Sequence, residues 1–170
     1  MSDLYISWSE YHQLIEQLAI KIYQSQWEFN QIVCLARGGL RIGDLLSRIY
    51  DKPLGILSTS SYGGEDGNIR GELNIASCVT MTTANLSGQI LLVDDLVDSG
   101  ITLEKTILWL KQQYPQIQTI KTAVLWYKDC SIFQPDYYVT YLSDNPWIHQ
   151  PFEKYEKMNI AEVGKILDLA

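Results

Sequence analysis

The stretch ILLVDDLVDSGIT, residues 90–102, decides the fold. It begins as an apolar run that is typical of a buried strand, and it passes through Ser99 and Gly100 into a helical pattern. Asp94, Asp95 and Asp98 follow the strand within five residues and repel one another. Open α/β sheets bind ligands at the carboxyl ends of their strands. The pattern therefore predicts a site where a cation or a set of ligand hydroxyl groups faces these acids.

The loop of residues 98–102 joins this strand to the next helix and has the donors that bind a phosphate. It offers backbone N–H groups, the hydroxyls of Ser99 and Thr102, and a helix N-terminus. No GK[ST] sequence is present, so this is not the loop of a nucleoside-triphosphate site. The alternative is that Asp98 or Ser99 only caps the helix and that the acids are solvated.

Around this stretch, short apolar runs alternate with segments of helical periodicity along the whole chain. Alternating strands and helices indicate an α/β fold, a doubly wound parallel sheet covered by helices on both faces. Asn159 and Glu162 form the capping pattern of a last amphipathic helix. Helices are predicted over 7–23, 40–50, 101–114 and from 160 onward, and strands over 31–36, 53–58, 73–81, 89–93, 120–127 and 137–142.

Length and charge limit the possible functions. The chain has 170 residues, which fits one domain, and its net charge of −7 argues against binding to nucleic acid or an anionic membrane. No segment has the apolar length of a membrane span, so we expect a soluble, cytoplasmic protein. The three cysteines are widely spaced, and we expect buried reduced thiols without disulfides or zinc.

With two aspartates upstream of its SG pair, the 90–102 stretch resembles the motif of type I phosphoribosyltransferases that binds phosphoribosyl pyrophosphate (PRPP). The resemblance implies that Asp94 and Asp95 hold the ribose hydroxyls and a neighbouring Mg²⁺. It also implies that the 98–102 loop wraps the 5′-phosphate and that Asp98 manages a proton at N7 of a purine. Two positions depart from the family pattern but keep the backbone donors: Ser99 and Ile101.

Two further segments extend the resemblance toward the xanthine–guanine and hypoxanthine branch. Arg37-Gly38-Gly39 resembles that branch's pyrophosphate loop, in which Arg37 and backbone N–H groups face the leaving group. A plain glycine turn with a surface arginine is the alternative. A polar, glycine-rich run occupies the place of the mobile lid, and an exposed hairpin is the alternative there. The lid would begin with Ser60, Ser61 and Tyr62.

Near the C-terminus the resemblance covers the base. Lys128 matches the lysine that contacts the purine's exocyclic oxygen, although a solvated surface lysine is the alternative. Trp147 would stack on the base and the carbonyl of Ile148 would meet its 2-position. Glu153 matches an acid near the magnesium of the pyrophosphate, and a surface glutamate is the alternative. Two departures leave the preferred base open: Phe152, where tryptophan is usual, and His149.

The resemblance implies one phosphoribosyltransferase domain over residues 1–170, with a small hood subdomain near residues 142–156. It implies an Mg²⁺-dependent transfer of phosphoribose from PRPP to a 6-oxopurine, in a homodimer or homotetramer. Adenine is disfavoured because Lys128 has hydrogen-bond donors only. Two alternatives stay open, a regulatory protein of the same fold that binds PRPP and a phosphoribosyltransferase for another base.

Overall fold

The computed structural model describes residues 3–61 and 73–166, with the side chain of Ser61 left out. The lid residue Tyr62 therefore lies outside the described residues. The strands are β1 Asp3–Tyr5, β2 Gln31–Ala36, β3 Leu54–Ser61, β4 Leu73–Ile75, β5 Gly88–Val93, β6 Leu96–Val97, β7 Ile117–Lys128, β8 Tyr137–Leu142 and β9 Trp147–His149. The helices are α1 Trp8–Gln24, α2 Leu40–Tyr50, α3 Ile101–Gln113, α4 Lys154–Lys157 and α5 Ile160–Ile166.

A mostly parallel sheet forms the centre of the molecule, as predicted. Its strands run in the order β4-β3-β2-β5-β7-β6, and β8 also pairs with β7. Every pair is parallel except β3 with β4. Because the strands are parallel, the carboxyl ends of β2, β5 and β7 share one edge of the sheet.

The two faces of the sheet are covered by different helices. In β2, Ile32 and Cys34 pack on the side of α1 and α2, whereas Val33 and Leu35 pack on the side of α3. The same alternation occurs in β5, and β2 is buried over nearly its whole length. A strand that is apolar on both faces requires cover on both, which is why these short runs contain no polar alternation.

Local signals set the helix starts where the sequence predicts them. Ser7 accepts from the backbone N–H of Glu10, and the Glu10 carboxylate accepts from the N–H of Ser7, which completes a capping box for α1. Asn159 and Glu162 make the same reciprocal pair before α5. The α5 helix nevertheless lies on the surface. None of its residues is buried, and Ile160 is 85% exposed.

One predicted strand is wrong in length. The sequence indicates a strand over 73–81, but β4 ends at Ile75. The N–H of Ala76 donates to the carbonyl of Ser58, and the chain then bends away before Thr80 forms an isolated bridge with Ile56. Apolar residues on both sides of this bend give the sequence an unbroken strand-like pattern that the backbone does not follow.

The expectation of buried thiols holds for only one cysteine. All three are free, and Cys34 is buried within β2, where burial raises the pKa of its thiol to about 12. Cys78 is exposed on the bend after β4, and Cys130 is exposed in the loop after β7. Within the described ranges, no helix is long and apolar enough to span a bilayer.

Where a hood is expected, the structure has a two-stranded sheet of β1 and β9, and neither strand is among those predicted from the sequence. Beside the expected C-terminal residues, β1 pairs in parallel with β9, matching Asp3 with Trp147 and Tyr5 with His149. The N–H of Ile6 donates to the carbonyl of His149 at 3.0 Å and extends the pairing. The hood therefore joins the N-terminal residues to the segment that the resemblance assigns to the base.

Candidate active site

Three of the predicted site segments lie at the same edge of the sheet. The 37–39 loop follows β2, Asp94 and Asp95 follow β5 directly, and Lys128 is the last residue of β7. Since β2, β5 and β7 are neighbouring parallel strands, their carboxyl ends bring these residues together. This edge is where open α/β sheets bind ligands.

The 37–39 loop packs directly on the two aspartates. A Cβ atom at Gly38 would lie 2.5 Å from Asp95 Oδ1, and one at Gly39 would lie 2.5 Å from the carbonyl oxygen of Val93. Neither position has room for a side chain, so glycine is required by close approach. The Gly39 N–H donates to the Leu35 carbonyl at 2.8 Å and closes the loop. The loop's backbone is thereby held against the acidic pair.

Asp94 and Asp95 are half-buried carboxyl groups in contact with each other. The Asp95 N–H donates to Asp94 Oδ1 at 3.0 Å, and Gln150 Nε2 donates to Asp95 Oδ2. Burial raises the pKa of Asp94 well above its usual range, and the neighbouring Asp95 raises it further. Burial also raises the pKa of Asp95, against the opposing effect of the Gln150 hydrogen bond. Two such groups favour a cation or hydroxyl donors opposite them.

The 98–102 loop enters α3 through a tightly packed glycine. Gly100 precedes α3 with φ +84°, a left-handed conformation that favours glycine. A Cβ atom there would also lie 2.5 Å from Phe133 Cβ and 2.6 Å from Ser131 Oγ. The Ile132 N–H donates to the Ser99 carbonyl at 3.1 Å, so the loop after β7 supports it from behind. The first N–H groups of an α-helix have no partner within the helix, so the start of α3 is a candidate anion site.

Lys128 and Asp98 form an ion pair. Lys128 Nζ lies 3.2 Å from Asp98 Oδ1, with the lysine buried and the aspartate largely exposed. Cys130 Sγ lies 3.7 Å from the same carboxylate oxygen. Lys128 is only 8% exposed, which excludes the solvated surface lysine. The sequence analysis puts Lys128 beyond its strand, but β7 includes it because it pairs with Leu142 of β8.

The two predicted base-contacting residues differ in exposure. Trp147 is 56% exposed at the start of β9, while Ile148 is buried and packs in the core beneath the hood. An indole that is more than half exposed at the start of a short strand offers ring surface for stacking. Phe152, which replaces the usual tryptophan, instead packs inward, with the Arg41 guanidinium 4.1 Å above its ring and Tyr11 edge-on at 5.7 Å.

Glu153 and His149 lie side by side in the hood. His149 Nδ1 is 3.0 Å from Glu153 Oε2, and His149 Nε2 is 3.7 Å from Asp3 Oδ1. The imidazole ring also stacks on Tyr5, with ring centroids 4.3 Å apart. The carboxylate predicted to lie near magnesium is thus held by histidine in this structure. Its metal role stays a prediction.

The remaining predicted residues are less enclosed. The Arg37 side chain is 83% exposed and pairs with Glu156 at 3.2 Å, so it extends from its loop toward α4. Ser60 is exposed near the end of β3, and the side chain of Ser61 lies outside the described part of the chain together with Tyr62.

The acidic residues suit an Mg²⁺ ion that is also bound by a substrate phosphate. They do not suit an Mg²⁺ ion that is held by protein ligands alone. Among the residues that the structure describes, no three His, Cys, Asp or Glu side chains form a metal-binding group. Mg²⁺ commonly uses one or two carboxylates together with substrate phosphates and waters. The half-buried Asp94–Asp95 pair, whose pKa values are raised mainly by burial, offers two such carboxylates.

Sequence reasoning misses Gln150, although its amide contacts Asp95 directly. The only available signal is its position inside the Trp147–Glu153 segment, between residues that the resemblance does assign. Cys130, beside Asp98, was likewise not singled out. Both contacts join segments that are far apart in the chain, and periodicity does not report such contacts.

Comparison with known proteins agrees with this geometry. Residues 7–157 match the family model described as "Phosphoribosyl transferase domain". Xanthine-guanine phosphoribosyltransferase of Idiomarina loihiensis is 27% identical over 154 residues, which cover 90% of this chain and 88% of that protein. The crystal structure of a purine phosphoribosyltransferase from Pyrococcus horikoshii superposes with a TM-score of 0.73 at 29% identity, covering 89% of this chain and 94% of the other.

A second solved structure agrees in fold alone. The xanthine-guanine-hypoxanthine phosphoribosyltransferase of Helicobacter pylori gives a TM-score of 0.72 at 24% identity, with 94% of this chain and 99% of that chain covered. The family match spans most of the sequence and includes the 37–39 loop, the acidic pair and the 98–102 loop. On this evidence the chain belongs to the phosphoribosyl transferase domain family.

Proposed function

We propose that the protein transfers the 5-phosphoribosyl group from PRPP to a 6-oxopurine, which yields a nucleoside monophosphate and pyrophosphate. The observation that supports this most strongly is the meeting of a phosphate-type loop, an acidic pair and a buried lysine at one sheet edge. The similarity to purine enzymes such as those of Idiomarina loihiensis and Pyrococcus horikoshii adds support for the base class.

In this proposal the 98–102 loop and the N-terminus of α3 bind the 5′-phosphate. Backbone N–H groups and the hydroxyls of Ser99 and Thr102 are the donors, and the helix dipole favours the negative charge. Asp94 and Asp95 accept hydrogen bonds from the ribose hydroxyls. Holding both ends of the ribose phosphate orients C1 toward the base, and positioning of this kind accounts for much of such catalysis.

The leaving group requires charge stabilisation on the opposite side of the ribose. Arg37 and the backbone of Gly38 face that position from the 37–39 loop in the proposal. Bound Mg²⁺ supplies positive charge that stabilises the departing pyrophosphate. Asp94 and Asp95 are its proposed protein ligands, with Glu153 as the predicted third acid once it is released from His149.

The base is selected by hydrogen bonding and stacking. Lys128 donates to the 6-oxo group, and it has no acceptor for the 6-amino group of adenine. Trp147 stacks on the ring, and the carbonyl of Ile148 faces the 2-position. Asp98 lies within 3.2 Å of Lys128 and is largely exposed, so a purine bound at the lysine has its N7 within reach of this carboxylate.

A turnover assay tests the proposal. Purified protein with Mg²⁺ and PRPP is incubated separately with guanine, xanthine, hypoxanthine and adenine, and nucleotide formation is followed. We expect product with at least one 6-oxopurine and little or none with adenine. Turnover only with a base of another class contradicts the proposed substrate. If PRPP binds but no base reacts, the regulatory alternative replaces the enzyme.

We further propose a homo-oligomer and a cytoplasmic site of action. Self-association through the region near Arg37 is the arrangement implied by the family resemblance. Light scattering at several protein concentrations gives the mass directly, and a monomer mass throughout contradicts the assembly. Fractionation of cells that express the protein tests the compartment.

A further inference from the structure

Two buried polar atoms without partners in the described chain belong to Gln150, which contacts Asp95, and to Tyr11 of α1. Gln150 Oε1 and Tyr11 Oη are both buried and make no hydrogen bond in the described chain, and the third such atom, Thr106 Oγ1, belongs to α3 on the other face of the sheet. Leaving a buried polar atom unpaired costs stability. Such atoms at a site therefore indicate a function that repays the cost.

The Gln150 amide is oriented by Asp95. In the structure the amide nitrogen of Gln150 makes the contact with Asp95 Oδ2, which is the orientation that an ionised carboxylate requires because it only accepts hydrogen bonds. This orientation leaves Gln150 Oε1 as a buried acceptor without a donor. The residue belongs to the hood segment that begins with Trp147, whereas Asp95 belongs to the sheet edge.

Tyr11 supplies the complementary group. Its side chain is fully buried on α1, and its ring lies edge-on to Phe152, two residues beyond Gln150. Burial raises the pKa of Tyr11, and the charges of Asp95 and Asp94 raise it further. A phenol hydroxyl is a donor, and Gln150 Oε1 is an acceptor.

We propose that Gln150 and Tyr11 are positioning residues that fix the Asp95 carboxylate for the ribose of PRPP. Gln150 holds Asp95 from the hood side, and Tyr11 fixes Gln150 when ligand binding brings the phenol hydroxyl and the amide oxygen together. This inference rests on the proposed function of the same edge. It adds two residues of α1 and the hood to the PRPP site.

The arrangement has a consequence for communication between substrates. Gln150 is three residues from Trp147, the proposed stacking platform, and it contacts a proposed PRPP ligand. A base that orders the hood therefore also orders Asp95, and PRPP that fixes Asp95 also orders the hood. Such coupling is reciprocal, so each substrate tightens the binding of the other by the same factor.

The test uses two substitutions with matched controls. Gln150→Leu removes the amide, and Gln112→Leu makes the same change on the exposed surface of α3. Tyr11→Phe removes only the hydroxyl, and Tyr23→Phe does so at an α1 residue that is 77% exposed. Calorimetry measures the dissociation constant of PRPP with Mg²⁺, steady-state kinetics separates kcat from KM, and thermal unfolding gives Tm.

We expect Gln150→Leu to weaken PRPP binding about ten- to hundredfold, as for loss of a hydrogen bond to a charged group. We expect Tyr11→Phe to weaken it about threefold to tenfold while Tm stays equal or rises, because an unpaired buried hydroxyl is removed. The double variant should bind PRPP no worse than Gln150→Leu alone, since the pair acts as one unit. Both controls should match the wild type.

PRPP affinity equal to wild type in both variants, with Tm intact, overturns the inference. So does a Tyr11→Phe variant that loses Tm and affinity together, because that result indicates a purely structural role. Failure of the proposed function is a separate outcome, seen when the wild-type protein itself neither binds PRPP nor forms nucleotide.

Discussion

A lysine that is nearly excluded from water needs a partner, and Asp98 provides it. Lys128 Nζ and Asp98 Oδ1 are 3.2 Å apart, with the aspartate on the solvent side. Burying an ammonium group without a counter-charge is costly. The ion pair compensates that cost while leaving the other lysine donors available to a ligand. Lys128 can therefore donate a hydrogen bond to an oxygen atom of a ligand.

Replacing this lysine tests the base class. Lys128→Met should lower kcat/KM for hypoxanthine or guanine about ten- to hundredfold, because a hydrogen bond from a charged donor is lost. Any activity with adenine should fall far less, since the ammonium does not serve its amino group. Steady-state kinetics with each base measures both effects.

A control variant tests whether the effect depends on the position of Lys128 or follows from the loss of any lysine charge. Lys105→Met makes the same change at an exposed residue of α3 and should leave kcat/KM within about twofold of wild type. Unchanged oxopurine rates in Lys128→Met would show that the buried ion pair is structural only. That result removes the main chemical support for the 6-oxopurine class.

The acidic pair predicts a pH dependence of stability. The folded-state pKa of Asp94 is raised, so the folded protein holds a proton that the unfolded chain has lost. Stability should fall as pH rises from about 4, the usual carboxyl pKa, toward the raised value. Asp94→Asn should therefore raise Tm at pH 7, measured with a chelator present, and should impair turnover.

The Tm difference between Asp94→Asn and wild type should shrink when unfolding is repeated near pH 4, where the carboxyl of the wild type is protonated in both states. Asp44→Asn on α2 is the matched control, because Asp44 is exposed and pairs with Arg48. Equal Tm for Asp94→Asn and wild type at both pH values argues that the carboxyl is solvated.

Site residues that belong to one contiguous motif were predictable from the sequence. Residues that join the site only through the fold were not. Asp94, Asp95 and the 98–102 loop are contiguous in the chain, so their position follows from one strand ending and one helix beginning. Gln150 contacts Asp95 from a segment far along the chain, and Tyr11 packs on Phe152 from a helix face. Tyr11 fits the apolar stripe of α1, and nothing in that stripe distinguishes its hydroxyl from an ordinary core ring.

At the scale of elements, the 98–102 loop depends on a neighbouring loop for its shape. Gly100→Ala combines a left-handed φ of +84° with contacts of 2.5 Å and 2.6 Å to Phe133 and Ser131. We expect it to lower the free energy of unfolding by about 2–4 kcal/mol and to weaken PRPP binding. Chemical denaturation and calorimetry measure the two effects.

Gly164→Ala, within α5, is the control for this change. Alanine there should be neutral or stabilising by up to about 1 kcal/mol, with PRPP affinity unchanged. If Gly100→Ala kept both stability and affinity, the loop would have more freedom than its packing indicates.

The start of α1 offers a change that should affect stability only. Ser7→Ala removes half of the capping box and should cost about 1 kcal/mol. Substrate KM and kcat should be unchanged at a temperature well below Tm, because the hydrogen bonds that Ser7 makes in the described chain stay within the first turn of its own helix. Altered kinetics would show that the conformation at the N-terminus of α1 affects the conformation of the hood.

Elements were predictable where the pattern has one interpretation. The bounds of β2, α2 and β8 coincide with the prediction, because apolar runs between turn residues admit no other arrangement. The strand predicted over 73–81 was wrong in length, because the bend after β4 depends on hydrogen bonds to β3. β1 was missed because three residues at a chain end have too little pattern to indicate a strand.

At the scale of the whole molecule, we expect the hood to affect binding of the base more than it affects PRPP binding or the stability of the sheet. Deleting residues 1–5 removes the pairing partner of β9 but leaves the α1 cap in place. We expect the KM for the base to rise about tenfold, as when the competent hood is ordered in only a tenth of the molecules. PRPP affinity should change less, and thermal unfolding should still show the main transition of the sheet.

Equal losses for base and PRPP would contradict this separation. They would show that β1 stabilises the sheet edge as much as the base site. A variant that keeps β1 but replaces exposed Tyr5, Tyr5→Ala, removes only the ring that stacks on His149 and serves as the comparison.

The pairing of β1 with β9 also sets the order of events during synthesis. β1 is synthesised before every strand of the central sheet, whereas its partner β9 is synthesised after all of them. The sheet edge with its acidic pair and phosphate-type loop is translated well before β9. A nascent chain therefore contains the residues proposed to bind PRPP before β1 can pair with β9, and the proposed base site forms after the proposed PRPP site.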